Sequence, residues 1–143
     1  MADTLNILLA EDDCDDSFLF QEALNRLPYS INLSIAEDGE QLISILEKSV
    51  FPDFIFLDLN MPKKDGYECL TYIRKEKNDY RAKVIILSTS SNAESVNFAY
   101  EKGADLYVKK PDNFNALVRS LEFCLQYKKY PEKPTREEFL LLV

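Results

Sequence analysis

Asp58 closes an apolar run, Phe54-Ile55-Phe56-Leu57, and Leu59-Asn60-Met61-Pro62 follows it. A carboxylate at the end of such a run leaves the core as the chain reaches the sheet edge. In open parallel sheets that edge, at the carboxyl ends of the strands, is where ligands bind. Glu11-Asp12-Asp13 follow a second apolar run in the same manner. Adjacent carboxylates repel one another unless a cation sits among them, and an oxygen-only set suits Mg²⁺, which takes one or two carboxylates and keeps several waters. The competing reading of the acidic run is a helix cap supplied by Asp13 or Asp15. Asp58 at the equivalent edge of another strand favours the metal. Lys110 ends a further run as a compact positive charge suited to phosphoryl oxygens; the alternative is a solvated lysine before Pro111. Ser88 ends yet another run with a hydroxyl able to donate to an anion, and taken alone it would more often be a turn or cap residue. Lys109 points away from Lys110 by strand alternation and reads as surface.

The elements that must carry these groups follow from apolar spacing. Short runs at residues 6–10, 54–57, 84–87 and 106–108 are apolar almost throughout, as strands buried on both faces are, and 32–36 alternates. Between them lie helical patterns at 15–27, 40–48, from Asp65-Gly66, 92–102 and 114–127. The predicted inner faces are Phe20, Ala23, Leu24 and Leu27; Leu42, Ile45 and Leu46; Cys69, Leu70 and Ile73; and Phe114, Leu117, Val118, Leu121 and Cys124. Ser88–Ser91 reads as a polar loop holding the cap of the 92–102 helix, and Gly103 as its left-handed stop. Strands strictly alternating with helices imply a parallel sheet covered on both faces. The chain thus reads as one α/β domain, 1–127, and a tail, 128–143. In the tail Pro131 and Pro134 break the helix, Thr135-Arg136-Glu137-Glu138 forms a capping box, and Phe139-Leu140-Leu141-Leu142-Val143 is apolar. Five such residues left in water favour association, so the tail is expected to dock on its own domain or on a second copy.

Composition removes several function classes. With 25 acidic and 17 basic residues the net charge is −8, which offers no basic face for nucleic acid. No apolar run approaches the ~20 residues of a membrane span, and the N-terminus carries no signal-peptide pattern. Histidine is absent, so a Ser-His-Asp triad, an imidazole-bound zinc and a phosphohistidine are excluded within this chain. Cys14, Cys69 and Cys124 lack metal-type spacing and read as reduced thiols of a cytoplasmic protein.

The chain resembles the response-regulator receiver domains of two-component signalling from about Asn6 to Tyr127. The resemblance is carried by Ile7-Leu8-Leu9-Ala10-Glu11-Asp12-Asp13, by Leu57-Asp58-Leu59-Asn60-Met61-Pro62 with Asp65-Gly66, by Ile86-Leu87-Ser88-Thr89-Ser90 and by Tyr107-Val108-Lys109-Lys110-Pro111. It implies a doubly wound, flavodoxin-like, five-stranded parallel sheet of order 2-1-3-4-5. It implies that Asp58 is the phosphoacceptor and that Mg²⁺ is held by Asp12, Asp58 and the backbone carbonyl of Asn60, with Glu11 completing the acidic pair through water. Ser88 falls at the family's switch hydroxyl, where many relatives carry threonine; Lys110 falls at its lysine and Tyr107 at its switch aromatic. Asn60 and Ser90 fall at positions that tune the lifetime of the phosphorylated form. The run Asp58–Gly66 is similar to single-domain regulators associated with bacterial phytochromes.

The function so implied is a phosphorylation-activated switch that takes a phosphoryl group from a sensor histidine kinase or phosphotransfer protein. The resemblance further implies that Tyr107 turns inward in the phosphorylated form, when Ser88 moves to the phosphoryl oxygen. Since only a tail follows, output is expected through contact with a downstream protein, a second copy of the chain among the candidates, and not through catalysis. Three rivals share parts of the pattern. Haloacid-dehalogenase-type aspartyl phosphatases need an acid/base carboxylate two residues after the nucleophile, where this chain has Asn60. A flavodoxin-like electron carrier would bind phosphate where Glu11-Asp12-Asp13 would repel it. A binding-only receiver should have broken acidic and lysine positions.

Overall fold

In the computed structural model, which describes residues 4–48, 52–61, 63, 65–76, 82–127 and 135–141, period-two alternation sorts each strand's side chains into two cores. From β1 (Leu5–Ala10), Ile7 and Leu9 enter one core while Leu8 and Ala10 enter the other. β3 (Phe54–Asp58) divides in the same way, Phe54 and Phe56 against Ile55 and Leu57. β4 (Lys83–Ser88) splits Ile85 and Leu87 from Val84 and Ile86, and β5 (Leu106–Lys109) splits Leu106 and Val108 from Tyr107. Burial on both faces explains why these runs read as continuously apolar. β2 (Ile31–Ala36) lies at the edge and is only half covered.

The first core is closed by α1 (Cys14–Asn25) and α5 (Phe114–Gln126), through Phe20, Ala23, Leu24, Leu121 and Cys124. The second is closed by α2 (Gly39–Lys48), α3 (Gly66–Glu76) and α4 (Ala93–Glu101), through Leu42, Leu46, Cys69, Leu70, Ile73, Val96 and Ala99. All strand pairings are parallel, and the order β2-β1-β3-β4-β5 is the doubly wound one expected.

The sheet also gains a sixth strand that the sequence does not announce. After a four-residue helix, α6 (Arg136–Phe139), the two-residue β6 (Leu140–Leu141) pairs parallel to β5, Tyr107 against Leu140 and Val108 against Leu141. Thr135 caps α6 in the expected capping box with Glu138. The apolar segment thus adds itself to the sheet of its own chain. Pro62, Pro131, Pro134, Leu142 and Val143, which figured in the reading of the sequence, lie outside the described residues.

Smaller differences have local causes. The cap of α4 is Asn92, whose side chain accepts from the Ser95 N–H at 2.8 Å, and Ser88 stays in β4. Gly103 ends that helix with φ 100° as expected. On α5 the fully covered residues are Ala116, Ser120, Leu121 and Cys124, whereas Phe114, Leu117 and Val118 are half-buried. The inner stripe is rotated toward Ser120, whose hydroxyl is satisfied by donating to the Ala116 carbonyl at 2.9 Å. Ile45 is likewise only half covered, because α2 flanks the edge strand.

Candidate functional site

Strand register brings the chemistry together. Ala10 pairs with Leu57, so Glu11 and Asp58 leave neighbouring strands at the same level. Asp58 pairs with Leu87 and Ser88 with Lys109, and the Lys110 N–H donates to the Ser88 carbonyl at 2.7 Å. The Lys110 ammonium reaches back to Glu11 Oε1 at 2.8 Å, Asp16 Oδ2 at 3.1 Å and Asp58 Oδ2 at 3.2 Å. The other Asp58 oxygen, Oδ1, accepts the Asn60 backbone N–H at 3.0 Å. Glu11 and Asp58 are buried; Asp12 and Asn60 are exposed at the rim. Lys109 is exposed, as alternation requires.

The acidic run separates into two jobs. Carboxylate oxygens of Glu11, Asp12 and Asp58 lie within 4.8 Å of one another, a group able to hold a metal ion. Asp13 instead caps α1, accepting the N–H groups of Asp15 at 2.8 Å and Asp16 at 3.1 Å. The cap reading of the acidic stretch thus holds for Asp13, while Glu11 and Asp12 stand with Asp58 as a group that could hold a metal ion. The donor set is all oxygen and carries more negative charge than Lys110 balances, which fits a hard divalent cation.

Electrostatics bear this out. Burial, with Asp58 alongside, pushes the Glu11 carboxyl up to about 7 even though Lys110 pulls the other way. Burial would lower the Lys110 ammonium, but the Glu11 hydrogen bond and the charges of Asp58 and Glu11 outweigh it and raise its pKa. Lys110 is therefore a permanent cation at neutral pH. Two carboxylates in one low-dielectric site, with a single ammonium, leave an unsatisfied demand for positive charge.

Two residues of the site carry more weight than the sequence reading gave them. Asp16 lies in the first turn of α1, where negative charge suits the helix dipole, and it is also one of the three carboxylates on Lys110. The available signal was its position: helical side chains lean toward the N-terminus, and α1 starts at this sheet edge. Gly66 was read only as a helix opener. A Cβ there would stand 2.7 Å from both the Asp58 carbonyl oxygen and Leu59 Cα, so the first turn of α3 packs directly behind Asp58 only because the residue is glycine.

Ser88 and Tyr107 face the opposite core. Ser88 is buried and its hydroxyl accepts the Ser90 N–H at 3.2 Å. Tyr107 is buried too, and its hydroxyl donates to the Ser90 carbonyl at 2.8 Å. Burial raises the Tyr107 pKa, with the Ser88 hydroxyl opposing the shift. The inward setting of Tyr107, expected from the sequence to accompany phosphorylation, is the one adopted in this chain. Ser90 also accepts from the Asn92 side-chain amide at 2.7 Å.

A doubly wound sheet whose strand ends gather an acidic cluster, a central aspartate and a lysine defines a class. Residues 7–122 match the response regulator receiver domain, and the chain belongs to that family. It is 37% identical over 122 residues to response regulator Rcp1 of Synechocystis sp., covering 81% of this chain and 83% of that protein. Among solved structures it is similar to the phosphorylated cyanobacterial phytochrome response regulator RcpA (TM-score 0.81, 31% identity, 91% of this chain and 100% of that one). It is also similar to the Mn²⁺-bound form of Rcp1 (TM-score 0.77, 33% identity, 92% and 99%). The protein is a phosphorylation-activated switch of two-component signalling. Receivers of this family bind a divalent metal, interact with histidine kinases and downstream targets, and are in general signalling proteins and not enzymes. Among the described residues no helix is long and apolar enough to cross a membrane.

Proposed function

We propose that Asp58 is the phosphoryl acceptor and that Mg²⁺ is the working ion, held by Asp12, Asp58 and the Asn60 carbonyl with Glu11 acting through water. One observation carries the reading. The Lys110 ammonium, from the end of β5, lies 3.2 Å from Asp58 Oδ2 at the end of β3 and 2.8 Å from Glu11 at the end of β1. A carboxylate nucleophile needs no general base to attack phosphorus. A carboxylate oxygen of Asp58 forms the new P–O bond as the P–N bond of a donor phosphohistidine breaks and the imidazole leaves. Lys110 moves from its carboxylates to the phosphoryl oxygens, and the Ser88 hydroxyl donates to a second oxygen. The bound ion supplies charge neutralisation for the transferring group. Asn60 and Ser90, at the rim, tune the lifetime of the acyl phosphate.

The donor is a sensor histidine kinase or a phosphotransfer protein, because this chain has no histidine of its own. The output is contact with a downstream protein, in a reduced cytoplasmic setting. Likeness to Rcp1 and RcpA supports a phytochrome-associated kinase as the source of the signal. Asn60 in place of a second acid/base carboxylate supports a switch over a phosphatase of external substrates. The intact acidic cluster and lysine support a phosphorylatable receiver over a binding-only one. Residues 1–127 form the receiver and 128–143 an appended segment. Incubation with acetyl phosphate and Mg²⁺ should add the mass of one phosphoryl group to the intact protein and none to Asp58→Asn. Equal labelling of the variant would sink the assignment.

A further inference from the structure

The appended segment is seated on the aromatic that the switch uses. Phe139 is wholly buried; its ring meets Tyr100 edge-on at 5.0 Å between centroids and lies 6.2 Å from Tyr107. Leu140, next in the chain, pairs with Tyr107 itself across β5 and β6. From Tyr107 the connection runs back toward Asp58 in short steps. Its hydroxyl donates to the Ser90 carbonyl at 2.8 Å, and the Ser90 N–H donates to the Ser88 hydroxyl at 3.2 Å. Ser88 ends β4, which pairs with β3 up to Asp58.

Tyr107 and Phe139 are both sealed from solvent. On the side that Phe139 covers, Tyr107 cannot swing outward while Phe139 stays in place. Phe139 belongs to the smallest unit of the fold, a four-residue helix and a two-residue strand. A unit that small is held mainly by what it packs against, and it opens more readily than the core strands.

We propose that the face made by Tyr100, Tyr107 and the edge of β5 is a docking surface whose occupant is the chain's own segment 135–141, and that its occupancy is coupled to the chemistry at Asp58. The coupling rests on the phosphoacceptor reading above. Phosphorylation draws Ser88 toward the phosphoryl group and favours the buried Tyr107, and the seated Phe139 favours that same Tyr107. By linkage each must strengthen the other by an equal factor. The segment is then both a support for the phosphorylated conformer and the element through which it is read: a partner that takes hold of the β5 edge competes directly with β6.

The test is hydrogen exchange on the full chain with Mg²⁺, with and without beryllofluoride as the phosphoryl mimic. Exchange in residues 135–141 should slow about fivefold or more when the mimic binds. Phe139→Ala should weaken beryllofluoride binding by a comparable factor, with Phe139→Leu recovering most of it; unaltered exchange in β1 and β3 shows that the variants are folded. If the mimic binds and segment 135–141 exchanges at an unchanged rate, the coupling is refuted. If protection of the segment grows with protein concentration, its seat is on a second copy and the intrachain docking is refuted. If neither beryllofluoride nor acetyl phosphate engages Asp58, it is the phosphoacceptor reading that fails, a result told apart by intact mass.

Discussion

Two partly buried ion pairs in this molecule share charges but not character. Arg74 of α3 donates to Asp105 at 3.0 Å and to the Gly103 carbonyl at 2.9 Å, while the same Asp105 oxygen accepts the Val84 N–H at 2.8 Å. That pair fastens α3 and the approach to β5 onto the sheet, with backbone groups meeting its remaining valence. Lys110 instead serves three carboxylates at once. The first arrangement is a joint that nothing needs to enter. The second is short of positive charge, a shortage that a divalent cation from outside would meet. Balance marks a structural pair and imbalance a site.

Breaking the imbalanced side has the largest effect. Lys110→Gln removes the ammonium proposed to stabilise the transferring oxygens and should slow phosphorylation by acetyl phosphate roughly 100-fold, measured by intact mass against time. Retention of the native rate would place Lys110 outside the chemistry. On the balanced side, Arg74→Met should cost about 2 kcal/mol, a drop in Tm of roughly 4–8 °C, with the phosphorylation rate within twofold of native. A collapse of that rate would erase the distinction between the two pairs.

Acidity sharpens the contrast next. In the folded chain Glu11 keeps its proton up to about pH 7, whereas unfolded it loses it near its ordinary 4.5. The folded state binds more protons across that window, so the Glu11 contribution to stability falls as pH rises through it. Melting in chelator from about pH 5 to about pH 8 should show that decline, Glu11→Gln should flatten it, and Mg²⁺ should reverse it. An identical slope in the variant would dissociate Glu11 from the effect. The smallest expected change is at Asp16, whose side chain is 44% exposed and therefore well screened. Asp16→Asn relieves Lys110 of one competitor and should raise the phosphorylation rate about two- to threefold, equivalent to about 0.5 kcal/mol; a slower rate would mean that Asp16 aims the ammonium instead of detaining it.

Much of this was legible in the sequence. Buried strands declare themselves by apolar runs, and a polar residue at each run's end marks the sheet edge, so Glu11, Asp12, Asp58 and Lys110 could be assembled before any coordinate. What stayed hidden depends on distances that no periodicity encodes. β6 is two residues long and pairs with a strand more than thirty residues away, too short for a pattern and too remote for a turn signal. Asn92 and the serines before it are all competent caps, and only backbone geometry selects one. The closeness of Gly66 to Asp58 is a matter of tenths of an ångström. Asp16 is one more acid in an acidic helix start, and only the turn of α1 sets it on Lys110.

The alternation of side chains along the strands has one more consequence. Glu11 and Lys110 share a cleft with Leu9, Leu87, Phe20 and Leu117 on the α1–α5 side, whereas Tyr107 and Phe139 belong to the other layer. The sheet is thus a partition, and a single peptide step carries the chain from one side to the other. The acidic cleft under α1 and α5 and the β5 edge that receives β6 are therefore separate grounds on one sheet.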